Sequence, residues 1–110
     1  MTQKIVYILG KDTRDAAARR KYADAETVIT NLGCEALNPA TLPAGIGPEP
    51  YMRICMELIG AADVVVLLPC WRYDTTAQRE KRGAEKLGKL VEKYDDFVRG
   101  RLKNQAEWHK

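Results

Sequence analysis

The sequence predicts a three-layer α/β/α sandwich, Rossmann-like, built around a parallel sheet of four to five strands. Three observations carry that expectation. Short apolar runs at residues 5–9 and 63–69 are too hydrophobic to leave either face in water, amphipathic segments of helical period lie between such runs, and the two kinds alternate along the chain. With 110 residues, 45% of them hydrophobic, the chain fits one domain with a core large enough to hold it without disulfides or metal.

Ile5-Val6-Tyr7-Ile8-Leu9, closed by Gly10, reads as the first strand. Ala18, Tyr22, Ala25, Ile29 and Leu32 then fall on one helical stripe, and Gly33 is its stop. Cys34 to Asn38 is a short second strand ended by Pro39. Residues 39–50 are rich in proline and glycine, an irregular loop of a kind able to cover a site. Met52, Cys55, Met56 and Ile59 mark a second helix stopped around Gly60, and Asp63 to Pro69 is the clearest buried strand. Thr75 to Leu87 reads as a third helix, with Gly88 separating it from a strand at Lys89 to Tyr94. From Asp95 the chain carries Phe97, Val98, Leu102 and Trp108 among many charges. This divides it into a domain at 1–94 and a tail at 95–110, a weak helix that packs across the domain or docks on another chain.

Eighteen Lys plus Arg against fifteen Asp plus Glu leave a formal charge of +3, too weak for a dedicated nucleic-acid binder. Residues 1–71 carry 7 basic and 8 acidic side chains and residues 72–110 carry 11 and 7, so the mild basicity is C-terminal. A basic outer face along the third helix (Arg79, Lys81, Arg82, Lys86, Lys89) is interleaved with Glu85 and Glu92 and reads as a solvated surface, which argues against nucleic acid as partner. The opening residues are too short for a signal-peptide core and no run is long enough to span a bilayer, so a cytoplasmic protein with no membrane partner is expected. Cys34, Cys55 and Cys70 are odd in number, without CxxC spacing and in apolar contexts, as reduced buried thiols are. The one histidine, His109, stands next to the last residue. No His-based metal site or Ser-His-Asp arrangement is expected within a chain, and no metal or cofactor is expected at all.

In an open parallel sheet ligands bind at the carboxyl ends of the strands. The first such end, Gly10-Lys11-Asp12-Thr13, has one glycine where a dinucleotide fingerprint has three. The third, Pro69-Cys70-Trp71-Arg72-Tyr73-Asp74, offers two aromatic faces and two charges, a set suited to a planar heterocycle. Trp71 stacks on that ligand or caps the core. The sharpest anomaly is on the third helix, where Ala77, Ala84 and Leu87 define the inward stripe and Glu80 occupies the position that completes it. An unpaired buried carboxylate costs several kcal/mol, so Glu80 either faces a wet cleft or pairs with Arg79 or Arg53. Its place in the N-terminal half of the helix also favours the ionised form.

The segments Lys4 to Gly10 (KIVYILG), Asn38-Pro39, Ala61 to Trp71 (AADVVVLLPCW) and Asp74 to Gly88 (DTTAQREKRGAEKLG) resemble, in order and spacing, the nucleoside 2-deoxyribosyltransferase superfamily. The likeness extends over about residues 4–93 and is greatest to a short branch common in phage and prophage genomes, a domain of unknown function. The resemblance implies that Glu80 attacks the anomeric carbon of a nucleoside, releasing the base and leaving a glycosyl ester that passes to water or another base. It implies an N-glycosidase or deoxyribosyltransferase with Asp74 orienting or protonating the base and Trp71 stacking on it. Tyr7, Gly10, Lys11, Asn38, Cys55 and Thr76 would complete the substrate site. Six residues before the nucleophile, where nucleotide-specific members carry Ser, stands Asp74, so a nucleoside is expected rather than its monophosphate. The superfamily's habit of completing sites from neighbouring subunits implies a homo-oligomer, a dimer or larger.

Three positions depart from the pattern. Cys55 stands eight residues before Asp63, where active members often place an Asp; Thr76 replaces a glycine; and Lys11-Asp12 replaces Pro-Met. The first two favour a second reading, a non-catalytic module that senses or sequesters a nucleoside or nucleotide on the same fold.

Overall fold

The computed structural model describes residues 4–11, 13 and 15–108, with side chains as far as residue 103. Asp12, the Trp108 indole and His109 lie outside the described residues. Four strands, β1 (Ile5–Leu9), β2 (Glu35–Leu37), β3 (Val64–Leu67) and β4 (Leu90–Lys93), form one parallel sheet in the order β2-β1-β3-β4. Helices α1 (Ala16–Asn31), α2 (Pro48–Ala61) and α3 (Thr75–Lys86) connect them, and α4 (Tyr94–Trp108) follows β4.

The two-residue period of the strands sorts the core into two clusters. Val6 and Ile8 of β1 with Val64 and Val66 of β3 point to α1 and α4, where Ala18, Tyr22, Ala25, Ile29 and Phe97 meet them. Tyr7, Leu9, Val65 and Leu67 point the other way, to Cys55 and Ile59 of α2 and Ala77 and Ala84 of α3. The stripe expected on α1 is buried residue for residue, and the helix opens on Asp15, whose carboxylate accepts the Ala17 amide at 3.0 Å. Gly33 (φ 84°) and Gly88 (φ 73°) end α1 and α3 in the left-handed conformation that glycine adopts without strain.

The elements differ from expectation at four places, each for a local reason. Helix α2 starts at Pro48 rather than beyond residue 50, because proline at the first helical position gives up no hydrogen bond. It also runs through Gly60 to Ala61, where Lys89 Nζ donates to the carbonyls of Gly60 (2.8 Å) and Ala62 (2.9 Å) and closes the helix end. Tyr94 opens α4 instead of ending β4, with Asp95 and Asp96 in a first turn that favours negative charge. Leu87, expected on the inward stripe of α3, is 54% exposed: the helix stops at Lys86 and the chain turns away at Gly88. The tail packs on the domain through Phe97, with Tyr94 and Val98 partly buried beside it. No helix among the described residues is long and apolar enough to cross a membrane.

Candidate active site

A cleft opens at the carboxyl end of the sheet, between the turn after β1, the strap that joins β2 to α2, and the first two turns of α1, α2 and α3. Gly10 lies close against its base: a Cβ there would fall 3.1 Å from Leu68 Cδ1 and 3.2 Å from the Tyr22 hydroxyl, so these side chains would have to give by a few tenths of an ångström. The Tyr22 hydroxyl donates to the Lys11 carbonyl at 2.9 Å, and the Lys11 amide donates to Cys70 Sγ at 3.3 Å, so both neighbouring turns hold this segment in place. Lys11 Nζ pairs with Asp15 at 3.2 Å, which lowers the Asp15 carboxyl below its usual range.

Asp74 caps α3, its Oδ1 accepting the Ala77 amide at 2.9 Å. That cap sets the rotation of the helix, and the rotation places Ala77, Glu80 and Ala84 against the sheet. Glu80 is 5% exposed and lines the floor of the cleft. Neither Arg79 nor Arg53 pairs with it; the Tyr7 hydroxyl, from the strand beneath, donates to its Oε1. Burial pushes the Glu80 carboxyl up to about 7, the Tyr7 hydrogen bond opposes the rise, and the charge of Asp74 adds to it. Glu80 sits beyond the first turn of α3, where the favourable pull of the helix dipole on a negative charge is weak. Tyr7 is itself raised well above its ordinary range by burial, with the Glu80 charge second, and remains a donor.

Behind Tyr7 the polar network continues into α2. Burial, and then the Glu80 charge, push the Cys55 thiol up to about 11, while hydrogen bonds with Tyr7 and Tyr51 oppose the rise. The Tyr51 hydroxyl meets Thr13 Oγ1 at 2.9 Å, which ties α2 to the turn after β1. Among the described residues no buried side-chain nitrogen or oxygen lacks a hydrogen-bond partner. The buried carboxylate thus belongs to a satisfied network rather than to a defect.

The expected site residues fall into three groups. Gly10, Lys11, Asp74, Thr76 and Glu80 line the cleft. Tyr7 and Cys55 lie beneath it, fully buried, and act on it through Glu80 and Tyr51. Asn38 is absorbed by the backbone: its side chain accepts the Ala40 amide at 2.9 Å and caps the short 3-10 turn Pro39–Thr41. Trp71 is not part of the cleft lining; its ring packs against the apolar cluster of Tyr7 and Cys55, with Lys81 Nζ 5.2 Å from the ring centroid. Asp63 accepts the Ile5 amide at 2.8 Å, at the opposite end of the strands from the cleft. Arg19, Tyr51 and the strap residues Leu42 and Ile46 line the cleft without having been singled out from sequence, and Arg79, expected on the outer face of α3 or paired with Glu80, lines it too. The proline-rich composition of residues 39–50 was the one signal that pointed there.

The parallel sheet in the order β2-β1-β3-β4, with a nearly buried carboxylate on the helix after the third strand, forms an α/β fold of the kind found in nucleoside deoxyribosyltransferase-like structures. The chain belongs to the family described as a domain of unknown function (DUF4406), whose profile matches residues 4–93. Among solved structures it is similar to the CMP N-glycosidase BcmB of Clostridium botulinum, with a TM-score of 0.61 and 17% identity, over 80% of this chain and 66% of that one. It is also similar to a 2-deoxyribosyltransferase from Leishmania mexicana, with a TM-score of 0.65 and 18% identity, over 80% of this chain and 61% of that one. The chain thus spans about two thirds of the first and less of the second, and at these identities the likeness is one of fold. No curated protein matches the sequence.

Proposed function

We propose that the protein is a nucleoside or nucleotide N-glycosidase or 2-deoxyribosyltransferase with Glu80 as its nucleophile. The observation that carries this reading is a nearly buried carboxylate aimed into a cleft and held from below by Tyr7. A Glu80 oxygen attacks the anomeric carbon, the glycosidic C–N bond breaks, and the base departs with the bonding pair and takes up a proton. Water or a second base then attacks the same carbon, the ester C–O bond breaks, and the carboxylate is restored. Two displacements give net retention. Tyr7, donating to one carboxylate oxygen, orients the other. Asp74 stands at the cleft wall with one oxygen committed to the helix cap, so orienting the substrate suits it better than delivering a proton.

The structure weakens the argument from Asp74 against a phosphate. The lining also carries Lys11, Arg19 and Arg79, so monophosphates belong beside nucleosides as candidate substrates. One observation favours a binding module instead. The Cys55 thiol, pushed up to about 11, is neutral at physiological pH and supplies no charge where active relatives of this fold often hold a carboxylate. We expect the homo-oligomer implied by the superfamily resemblance, and a monomeric mass by light scattering at micromolar concentration sinks that part.

The test is an overnight incubation with ribo- and deoxyribonucleosides and their monophosphates, with and without a free acceptor base, read by chromatography beside Glu80→Gln. Base release or exchange that vanishes in the variant supports the glycosyl-enzyme. No turnover, with the same ligands still raising the melting temperature, leaves the binding module.

A further inference from the structure

We propose that the strap between β2 and α2, and not Trp71, is the wall against which the base lies, with Leu42 and Ile46 setting base selectivity. This rests on the glycosyl-transfer reading above and refines it. The cleft's charged side chains Lys11, Arg19, Asp74, Arg79 and Glu80 come from the turn after β1 and from α1 and α3, and Glu49 comes from the first turn of α2, whereas the strap itself contributes the apolar Leu42, Pro43, Ala44 and Ile46. The order β2-β1-β3-β4 puts the strap on one flank, after β2, and α3 on the other, after β3, with the β1 turn between them.

A nucleoside has the same division. Its base presents flat, weakly solvated faces, and its sugar presents hydroxyls and, in a nucleotide, a phosphate. Once the anomeric carbon stands at Glu80, the sugar and the base must extend to different sides of it. The charged flank matches the first and the apolar strap the second.

The strap is also ordered in advance. Asn38 caps its first turn, the Thr41 hydroxyl donates to the Asn38 carbonyl at 2.8 Å, and the Tyr51 amide bonds the Gly47 carbonyl at 3.0 Å at its far end. Pro39, Pro43 and Pro48 restrict the backbone between these points, so little conformational freedom remains to be lost when a ligand arrives. Leu42 and Ile46 are half-buried, and a Cβ at Gly45 between them would meet nothing within 4 Å. Leu42 packs on the core as well as on the cleft. Trp71 has its ring committed to the core and to Lys81.

The experiment compares Ile46→Ala, Leu42→Ala and Trp71→Ala in the full chain with a purine and a pyrimidine substrate of the same sugar. It is read as the ratio of kcat/KM between them, or of Kd if binding occurs without turnover. The strap variants are expected to change that ratio by about tenfold, the range a few missing methylenes command in an apolar pocket. Trp71→Ala is expected to leave the ratio within about twofold, on the same argument that selectivity follows the contacted wall. Ile46→Ala keeps the test sound if Leu42→Ala folds poorly. An unchanged ratio in Ile46→Ala beside an altered one in Trp71→Ala overturns this inference and leaves the reaction standing. Absence of binding and turnover with every nucleoside and nucleotide overturns both.

Discussion

The two faces of the sheet are made from the same strands and are equally apolar in sequence, yet they do different things. On the α1 and α4 side, Val6, Ile8, Val64 and Val66 meet Ile29, Tyr22 and Phe97 in a core that contains no charge. On the α2 and α3 side, Tyr7, Leu9, Val65 and Leu67 meet a cluster of the same kind, but Glu80 occupies one place in it and Tyr7, Cys55 and Tyr51 surround that place with hydroxyl and thiol groups. The first face lowers the free energy of the fold. The second keeps back part of that stabilisation to hold a desolvated carboxylate where a ligand can reach it.

Removing the carboxylate breaks the contrast most directly. Glu80→Gln is expected to lower base release or exchange at least about a thousandfold, as loss of a nucleophile does, measured by single-turnover chromatography. Relative to the wild type, the same variant should gain stability with rising pH. A carboxyl raised from its usual 4.5 to about 7 stabilises the fold fully when protonated, below the unfolded value, and that stabilisation is lost as the pH climbs through about 7. At pH 8 the wild-type chain bears a penalty on the order of a few kcal/mol, since each tenfold change in proton affinity between the folded and unfolded chain is worth about 1.4 kcal/mol. The melting temperature of Glu80→Gln should therefore exceed that of the wild type by more at pH 8 than at pH 5. A constant difference would mean that Glu80 does not titrate in this range.

On the closed face the opposite pattern is expected. Ile29→Ala empties a fully buried position and should cost about 2–5 kcal/mol in denaturant unfolding, with the activity of the folded fraction unchanged. Tyr7→Phe acts between the two patterns. It removes the hydrogen bond that opposes the rise of the Glu80 carboxyl, so the pH–rate profile, rising as Glu80 ionises, should move to higher pH. Activity at neutral pH should then fall by about tenfold for each pH unit through which the profile moves. A lower rate with an unmoved profile would make Tyr7 a packing residue alone. The smallest effect belongs to Leu87→Gln, expected within about 0.5 kcal/mol of the wild type because the side chain lies outside both clusters.

How far the site was legible follows from what each residue does. Glu80 stood out because a helical period of 3.6 residues puts one carboxylate among alanines, and that geometry needs no partner to be read. Gly33 and Gly88 were readable as stops for the same local reason. Leu87 misled because the period continues in sequence after the helix has ended. An aromatic or an amide beside a strand end is chemically suited to a ligand, and only the packed structure shows the other contacts these two make: Trp71 against the core and Lys81, and Asn38 as the cap of a turn. Arg19, Tyr51 and Ile46 belong to three separate elements, and nothing in their own neighbourhoods marks them as facing one cleft.

The sequence by itself determined the element order, the parallel sheet, the burial of the α1 stripe and the presence of a carboxylate on the inward face of α3. These depend on interactions within one strand or one turn of helix, which are short in range and written in consecutive residues. Tertiary structure alone decided that Glu80 is held by Tyr7 rather than by an arginine, that burial raises its carboxyl while the Tyr7 hydrogen bond opposes the rise, and that the strap rather than Trp71 walls the cleft. Each of these is a balance between groups far apart in the chain, and its outcome depends on distance and desolvation, which exist only once the elements have packed.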